Sequence, residues 1–351
     1  MNYEITRIEL SDLKKTLDLN EKIYSLIEGK DKADYKVIKH KSAIIEIYTF
    51  WENFIKQLVY DCYYEYKNLI VDERFLINYF RNIHEKSHTR DIFKNNFDNG
   101  KIEISKESLC FSNNMSFKEM KNIFKRIGFN VEDILKHLSD NPDLQTTINN
   151  LNNIGVIPVV EDEEGNDGTE RHTKRNTNLF ESYINLLVED RNTVAHQRDI
   201  QIVYNSCQLN ELYNFVKVIC EAVYEYSFSQ LIIKSKQKRK PASISNTFYP
   251  IAVYSENTGS NNSIIGIRNM SSHTISKDSE FYCFDDEKKL YRTLKIMECR
   301  HDGKTLSNFL NPYQDYSIKV KTLAPIRKQR PIFFISTAKN IEYDFEYLIH
   351  I

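Results

Sequence analysis

Residues 36–70 contain no proline or glycine, and their large apolar side chains recur three and four residues apart: Ile38, Ile44, Ile45, Ile47, Tyr48, Trp51, Phe54, Ile55, Leu58, Val59 and Cys62. That spacing lines one wide face of a long α-helix. A helix of this length is stable in water chiefly because its apolar face is buried by other elements, so the surrounding chain must supply them. Further helical patterns do so. One is expected over Asp72 to His84. Another opens at Ser116-Phe-Lys-Glu119, where Ser and Glu stand in capping-box spacing, and runs toward Arg126 until Gly128 stops it. A short helix follows over Val131 to Leu138.

Residues 161–178 form a polar loop, acidic in its first half and basic in its second. It ends at Asn178, a suitable N-cap. The helix beyond buries Leu179, Phe180, Tyr183, Ile184, Leu187 and Val188 and runs into Arg191 and His196. A last helix is expected over Leu209 to Ile233, with Leu212, Phe215, Val216, Ile219, Val223 and Leu231 inward.

The texture changes after the basic run Lys234–Lys240 and Pro241. Six short β-type runs follow: Ile251–Tyr254, Ile264–Ile267, Glu280–Phe284, Leu294–Cys299, Tyr316–Val320 and Ile332–Ile335, with turn signals at Asp302-Gly303 and Asn311-Pro312. The expected fold is therefore α+β in two domains. A helical bundle covers 1–233, a basic linker 234–245, and a small antiparallel barrel-like domain 246–351.

At 351 residues, 41% hydrophobic and 28% charged, the composition is that of a globular protein. No stretch approaches the ~18 consecutive apolar residues of a membrane span. The first residues lack the basic start and apolar core of a signal peptide, so a cytoplasmic location is expected. None of the six cysteines belongs to a Cys-x-x-Cys pair, and their apolar surroundings suggest buried, reduced thiols. No metal site or cofactor is expected. Net charge is −1, so any attraction for nucleic acid must come from local basic segments.

The segment Arg191-Asn-Thr-Val-Ala-His196 carries the candidate chemistry. Asn192 and His196 are four apart and share a helical face, while Arg191 is one step of ~100° from Asn192 and flanks the same edge. A guanidinium holds a phosphate in bidentate fashion and stabilises charge building up on it. An imidazole moves protons near neutral pH. RNA brings its own nucleophile, the ribose 2′-OH, so these residue types suffice for cleavage to a 2′,3′-cyclic phosphate and a 5′-OH. By spacing alone, an Arg-x4-His pair is also compatible with an ordinary helix end whose cation meets the dipole.

In context, Glu189-Asp-Arg-Asn-Thr-Val-Ala-His196 resembles the signature of the HEPN superfamily: Arg, a polar residue that is often Asn, and His a few residues on. Tyr48, Trp51-Glu52 and Phe54 resemble the early helix of its RiboL-PSP/MAE-like branch, and Asn113-Asn-Met-Ser-Phe117 is similar to an internal element of that branch. The resemblance covers about residues 20–230. It implies a homodimeric ribonuclease in which two copies of the motif face each other, with Arg191 and His196 catalytic and Asn192 orienting phosphate or ribose. It also makes Glu52 a candidate for positioning Arg191 or His196; a plain structural carboxylate is the other reading.

Arg171, Lys174 and Arg175 beside His172, and Lys236, Lys238 and Arg239 in the basic run, are candidate RNA contacts; each set also reads as solvated chain. His84 and His88 lack companion ligands and read as surface residues. Residues 275–336 resemble the β-barrel second domain of translational GTPases, through Ser276–Tyr282, Leu294–Lys304, Tyr313–Val320 and Pro325–Phe334, but depart from it at Gln314, Asp315 and Gln329, near positions where that family has Gly. This resemblance implies contact with tRNA, the ribosome or another translation component. The function expected is a metal-independent endoribonuclease acting as a toxin or abortive-infection effector, held by an inhibitor or awaiting a trigger. The alternative is a non-catalytic RNA-, nucleotide- or protein-binding module.

Overall fold

The computed structural model describes residues 3–70, 104–112, 114–158, 179–196, 202–238, 247–248, 250–255, 262–268, 275–276, 280–285, 290–301, 304–305, 309–310, 315–322 and 332–335. They form two compact units, Met1–Tyr224 and Glu225–Ile351.

Eight helices are described: α1 Tyr3–Leu26, α2 Asp31–Ile70, α3 Lys106–Leu109, α4 Phe117–Arg126, α5 Val131–Ser139, α6 Pro142–Asn153, α7 Leu179–His196 and α8 Ser206–Lys238. The long helix expected over 36–70 is present and starts a turn earlier, at Asp31, with Asp31 and Asp34 meeting the positive end of its dipole. Its apolar face is the centre of the first unit: Ile44, Ile47, Trp51, Ile55 and Val59 are fully buried. Helices α1, α3 and α6 are additional to those expected from the sequence. Helix α1 buries Leu10, Leu13 and Leu17 on one side.

Two helix ends follow from glycine. After α4, Phe129 N–H donates to Phe124 C=O and Gly128 N–H to Lys125 C=O, the Schellman pattern, with Gly128 at φ 74°. The same arrangement closes α6 through Gly155 at φ 77°, where Val156 donates to Leu151. At the other end of α4 the expected cap is in place: the Ser116 side chain accepts from Glu119 N–H.

The last helix runs past the expected end at Ile233 to Lys238. Lys and Gln are good helix formers, so the basic run 234–238 prolongs the helix, and Pro241 stands beyond it. The expected helix over 72–84, His84, His88, the loop 161–178 and Asn178 lie outside the described residues. Five cysteines are buried, as expected, but Cys207 is exposed: it lies in the first turn of α8, ahead of Leu209, where the buried stripe begins. No helix of the described residues is long and apolar enough to cross a membrane.

Among its described residues the second unit holds ten strands: β1 Thr247–Phe248, β2 Pro250–Ser255, β3 Asn262–Arg268, β4 Ile275–Ser276, β5 Glu280–Asp285, β6 Leu290–His301, β7 Lys304–Thr305, β8 Phe309–Leu310, β9 Asp315–Thr322 and β10 Ile332–Ile335. All six expected runs are strands. The main sheet has the order β1-β10-β5-β6-β9-β3-β2, with β7 on the end of β6, and its ladders are antiparallel. Among the described residues no ladder joins β1 to β2, so the sheet is not closed by hydrogen bonds. Yet β1 and β2 stand at opposite ends of that order while Phe248 and Pro250 are two positions apart in the chain. Two residues span at most ~7 Å, so the sheet curls until its ends approach. Its interior holds Ile265, Ile267, Phe281, Leu294, Ile296, Ile318 and Val320, each alternating with an outward residue.

Glu225–Lys238, the C-terminal part of α8, belongs to this unit. Phe228 stacks on Tyr282 at 4.4 Å, and Ser229 Oγ accepts from Tyr291 N–H at 2.8 Å. The buried Glu225 carboxylate accepts from the Thr293 hydroxyl at 2.8 Å and stands 3.4 Å from Arg292 Nη1. Asp285, also buried, lies 3.8 Å from Arg292 Nε.

Candidate active site

Helix α7 is fixed along its length before it reaches the motif. Phe180, Tyr183, Ile184, Leu187 and Val188 are buried, as their spacing indicates, while Leu179 is only half-buried. The Tyr183 hydroxyl lies 2.7 Å from both Asn152 Oδ1 and Val156 C=O, so its single proton serves two acceptors at the end of α6. Lys121 on α4 reaches Glu181 at 3.5 Å.

Arg191 continues the same stripe, since it follows Leu187 by four positions and Val188 by three. It is therefore half-buried, with its guanidinium 5.2 Å from the centre of the Tyr48 ring on α2 and Nη1 donating to Asn192 Oδ1 at 2.9 Å. The ring face stabilises the cation, and the amide fixes its plane. Asn192 meets Arg191 as an acceptor, so its NH2 is what it can offer to a ligand.

Tyr48 is itself held in place. Its hydroxyl accepts from Met115 N–H at 2.8 Å and is within hydrogen-bond reach of the Glu52 carboxylate. Burial, with Glu52 adding to it, pushes the phenol above its ordinary range. One turn on, Trp51 Nε1 donates to Met115 C=O at 2.8 Å. The backbone N–H and C=O of Met115, just ahead of the Ser116 cap, are thus both satisfied by side chains of α2. Glu52 forms a 2.6 Å ion pair with Lys56. It therefore stands behind Tyr48, which stands under Arg191. Glu52, Tyr48, Met115, Arg191 and Asn192 come together although they are scattered over more than a hundred residues of sequence.

His196 is placed differently. Five positions of helix separate it from Arg191, about 140° around the axis and about 7.5 Å along it. It is exposed at the helix end, on the side of Asn192. Val194, between them, is buried.

A second group surrounds the residue just before the motif, and the sequence reading missed it. The Tyr204 hydroxyl donates to Asp190 Oδ2 at 2.8 Å, and Tyr204 N–H donates to Nδ1 of the buried His40 at 3.1 Å, with the two rings edge-to-face at 5.2 Å. Burial pushes the Asp190 carboxyl up to about 6, against the Tyr204 hydrogen bond and with help from Glu189. Burial, then Lys41, pushes His40 down to about 4. The group links α2, the end of α7 and the segment before α8. Its only sequence signal was an acid directly ahead of the motif arginine.

Of the other candidates, Lys236 and Lys238 have their backbone in α8. Arg171, Lys174, Arg175 and Arg239 lie outside the described residues.

The family described as RiboL-PSP-HEPN matches residues 3–227. The chain belongs to this family. The match takes in the first unit from residue 3 onward and ends within α8, and it bears out the resemblance read from Arg191–His196 and Tyr48–Phe54. No curated protein and no solved structure matches the chain. HEPN domains bind RNA, commonly pair with one another and in general carry ribonuclease activity, so the helical unit is an RNA-related domain.

Proposed function

We propose that the helical unit of this RiboL-PSP-HEPN protein is an endoribonuclease that uses the ribose 2′-OH as nucleophile. The reading rests on Arg191, a cation half-buried between the Tyr48 ring and the Asn192 amide, beside an exposed imidazole at the same helix end. Arg191 would hold the scissile phosphate and stabilise the charge of the pentacoordinate transition state. The Asn192 NH2 would donate to a phosphate or ribose oxygen. An imidazole from His196 would take the 2′-OH proton as the oxygen attacks phosphorus, the departing 5′-oxygen would take a proton from water, and the imidazolium would return its proton to solvent. The P–O5′ bond breaks as the P–O2′ bond forms, leaving a 2′,3′-cyclic phosphate and a 5′-OH. No step of this scheme asks for a metal.

In one chain Arg191 and His196 point ~140° apart, so a single copy presents the two groups to different sides. A second copy across a two-fold axis supplies the missing partner to each, and we place the site at that junction. Glu52 acts through Tyr48, as a positioning residue. In the cell such an activity suits a toxin or abortive-infection effector under the control of an inhibitor or trigger.

The test is cleavage of RNA by purified protein in EDTA, with the new ends sequenced. We expect 5′-OH ends, a loss of ~10²-fold or more for Arg191→Ala, and a loss within ~10²–10⁴-fold for His196→Ala. Equal cleavage by the double variant overturns the assignment. RNA binding without cleavage by the parent chain would leave a binding module of the same fold.

A further inference from the structure

The second unit carries a charged surface that the cleavage reading does not use. In β9 the buried residues are Tyr316, Ile318, Val320 and Thr322, so Ser317, Lys319 and Lys321 face outward. In β6, beyond the buried Tyr291 and Arg292, the chain buries Leu294, Ile296 and Cys299, while Lys295, Met297 and Arg300 are exposed. The ladder sets Lys295 directly opposite Lys321, Glu298 opposite Lys319, and Arg300 opposite Ser317. Among the described residues of this face, three ladder pairings therefore carry four cations, Lys295, Lys321, Lys319 and Arg300, together with the Glu298 carboxylate, which lies 2.7 Å from Arg300.

Two features separate this surface from an ordinary solvated sheet. Cross-strand neighbours of like charge, with Cβ atoms ~5 Å apart, oppose sheet formation, and natural pairings usually set opposite charges there. Lys295 and Lys321 break that pattern. The register also shifts between Ile296 and Glu298, a β-bulge that sets Met297 outward, 50% exposed, amid the cations. Ile264 of β3, opposite Lys319, is half-exposed on the other side. The result is a row of cations flanked by apolar surface, on a chain whose net charge is −1.

We propose that the outer face of β6 and β9 binds single-stranded RNA, with Lys295, Lys319, Lys321 and Arg300 along the phosphates and Met297 and Ile264 under the bases. A strand of phosphates relieves the Lys295–Lys321 repulsion and releases counterions as it does so. Exposed apolar side chains beside the cations suit unpaired bases, whose faces are open, better than a duplex, whose faces are stacked away. The choice of RNA among polyanions rests on membership of an RNA-related family, not on cleavage.

The experiment uses the full chain and a fluorescent 2′-O-methyl oligonucleotide, which has no 2′-OH and cannot be cut by the proposed chemistry. Lys295→Glu is the informative variant, because it places a carboxylate opposite Lys321 and turns the repulsive pair into an attractive one. It should raise thermal stability while weakening oligonucleotide binding. Combined with Lys319→Gln and Lys321→Gln it should cost at least ~10-fold in affinity and flatten the dependence of log K on log salt by about 2. Lys15→Glu, an exposed α1 residue paired with Asp12, controls for net charge and should change binding far less. Unchanged affinity in the combined variant overturns the proposal. So does equal or tighter binding of polyglutamate or phosphatidylserine vesicles through the same lysines, which would make the surface one for acidic protein or membrane. Lysine-dependent binding by a chain that cuts no ordinary RNA would sink the nuclease reading and leave this one standing.

Discussion

The Tyr204 hydroxyl donates a 2.8 Å hydrogen bond to Asp190, the residue directly before Arg191. This bond ties the motif end of α7 to the segment that leads into α8, and the Tyr204 backbone carries the link on to His40 of α2. Tyr204→Phe keeps the ring packed against His40 and removes only the donor. The carboxylate, already pushed up to about 6 by burial, then loses the group that lowers it. We expect a stability loss of ~1–3 kcal/mol at neutral pH, the usual cost of a buried polar group without its partner. RNA cleavage should fall further than the change in folded fraction explains, since Arg191 shares the loosened turn. Urea denaturation and single-turnover cleavage of the same preparation separate the two effects.

The same pair predicts an unusual response to acid. His40 titrates near 4 in the folded chain against an ordinary 6.5, so between those values the unfolded chain takes a proton that the folded one refuses. Its contribution is present above 6.5 and is lost as pH falls toward 4. Asp190 titrates near 6 against 3.8, so between those values the folded chain holds a proton that the unfolded one gives up. Its burial costs stability above 6, and that cost is relieved as pH falls toward 3.8. The two slopes, each up to ~1.4 kcal/mol per pH unit, oppose each other over nearly the same window. Relative to the parent, Asp190→Asn should therefore lose stability more steeply below pH 6.5, and His40→Asn less steeply. Melting curves from pH 4 to 7 check this; parallel curves for all three proteins would refute it.

How much of this was legible in the sequence depends on where the signal lay. The core of α2, the buried stripe of α7 and the six main strands follow from apolar spacing, because burial of one face leaves a period that can be read directly. Arg191, Asn192 and His196 stood together in one segment. Helix α1 hid because its buried stripe, Leu10, Leu13 and Leu17, is interleaved with apolar residues that stay exposed, Ile8, Leu19, Ile23 and Leu26. The Tyr48–Met115 and Tyr204–Asp190 bonds hid for another reason. Each joins residues distant along the chain, and a tyrosine hydroxyl gives no sign in the sequence of whom it will meet. The end of α8 was misread because a lysine-rich run serves equally as linker or as helix.

Tyr48 has two separable jobs, and substitutions should divide them. Its hydroxyl serves Met115 N–H and its ring faces Arg191. Tyr48→Phe leaves the ring and strands a buried N–H, so we expect ~1–3 kcal/mol of lost stability with most of the activity of the folded fraction kept. Tyr48→Leu removes the aromatic face as well, and cleavage per folded molecule should drop. Trp51→Phe, which strands the Met115 carbonyl on the other side, should match Tyr48→Phe in stability and leave Arg191 undisturbed. If Tyr48→Phe and Tyr48→Leu lose cleavage equally, the ring is not what orients the guanidinium.

The end of α8 belongs energetically to the β-unit, and Glu225 shows why. Its buried carboxylate meets the Thr293 hydroxyl and the equally buried Arg292, which Asp285 faces from the other side. Removing one member of such a group leaves a buried charge short of a partner, a loss of ~3–5 kcal/mol where the burial is complete. Glu225→Ala should therefore destabilise the β-unit by several kcal/mol, far more than an exposed substitution in the same helix. A fragment starting at residue 246 also lacks Phe228, which covers Tyr282, and Ser229, which satisfies Tyr291 N–H. It should expose that apolar surface and bind hydrophobic dyes, whereas a fragment starting at 225 should melt cooperatively. Near-UV circular dichroism of the two fragments decides the matter: native-like tertiary signal from the shorter one would mean that the helix only lies against a sheet able to stand without it.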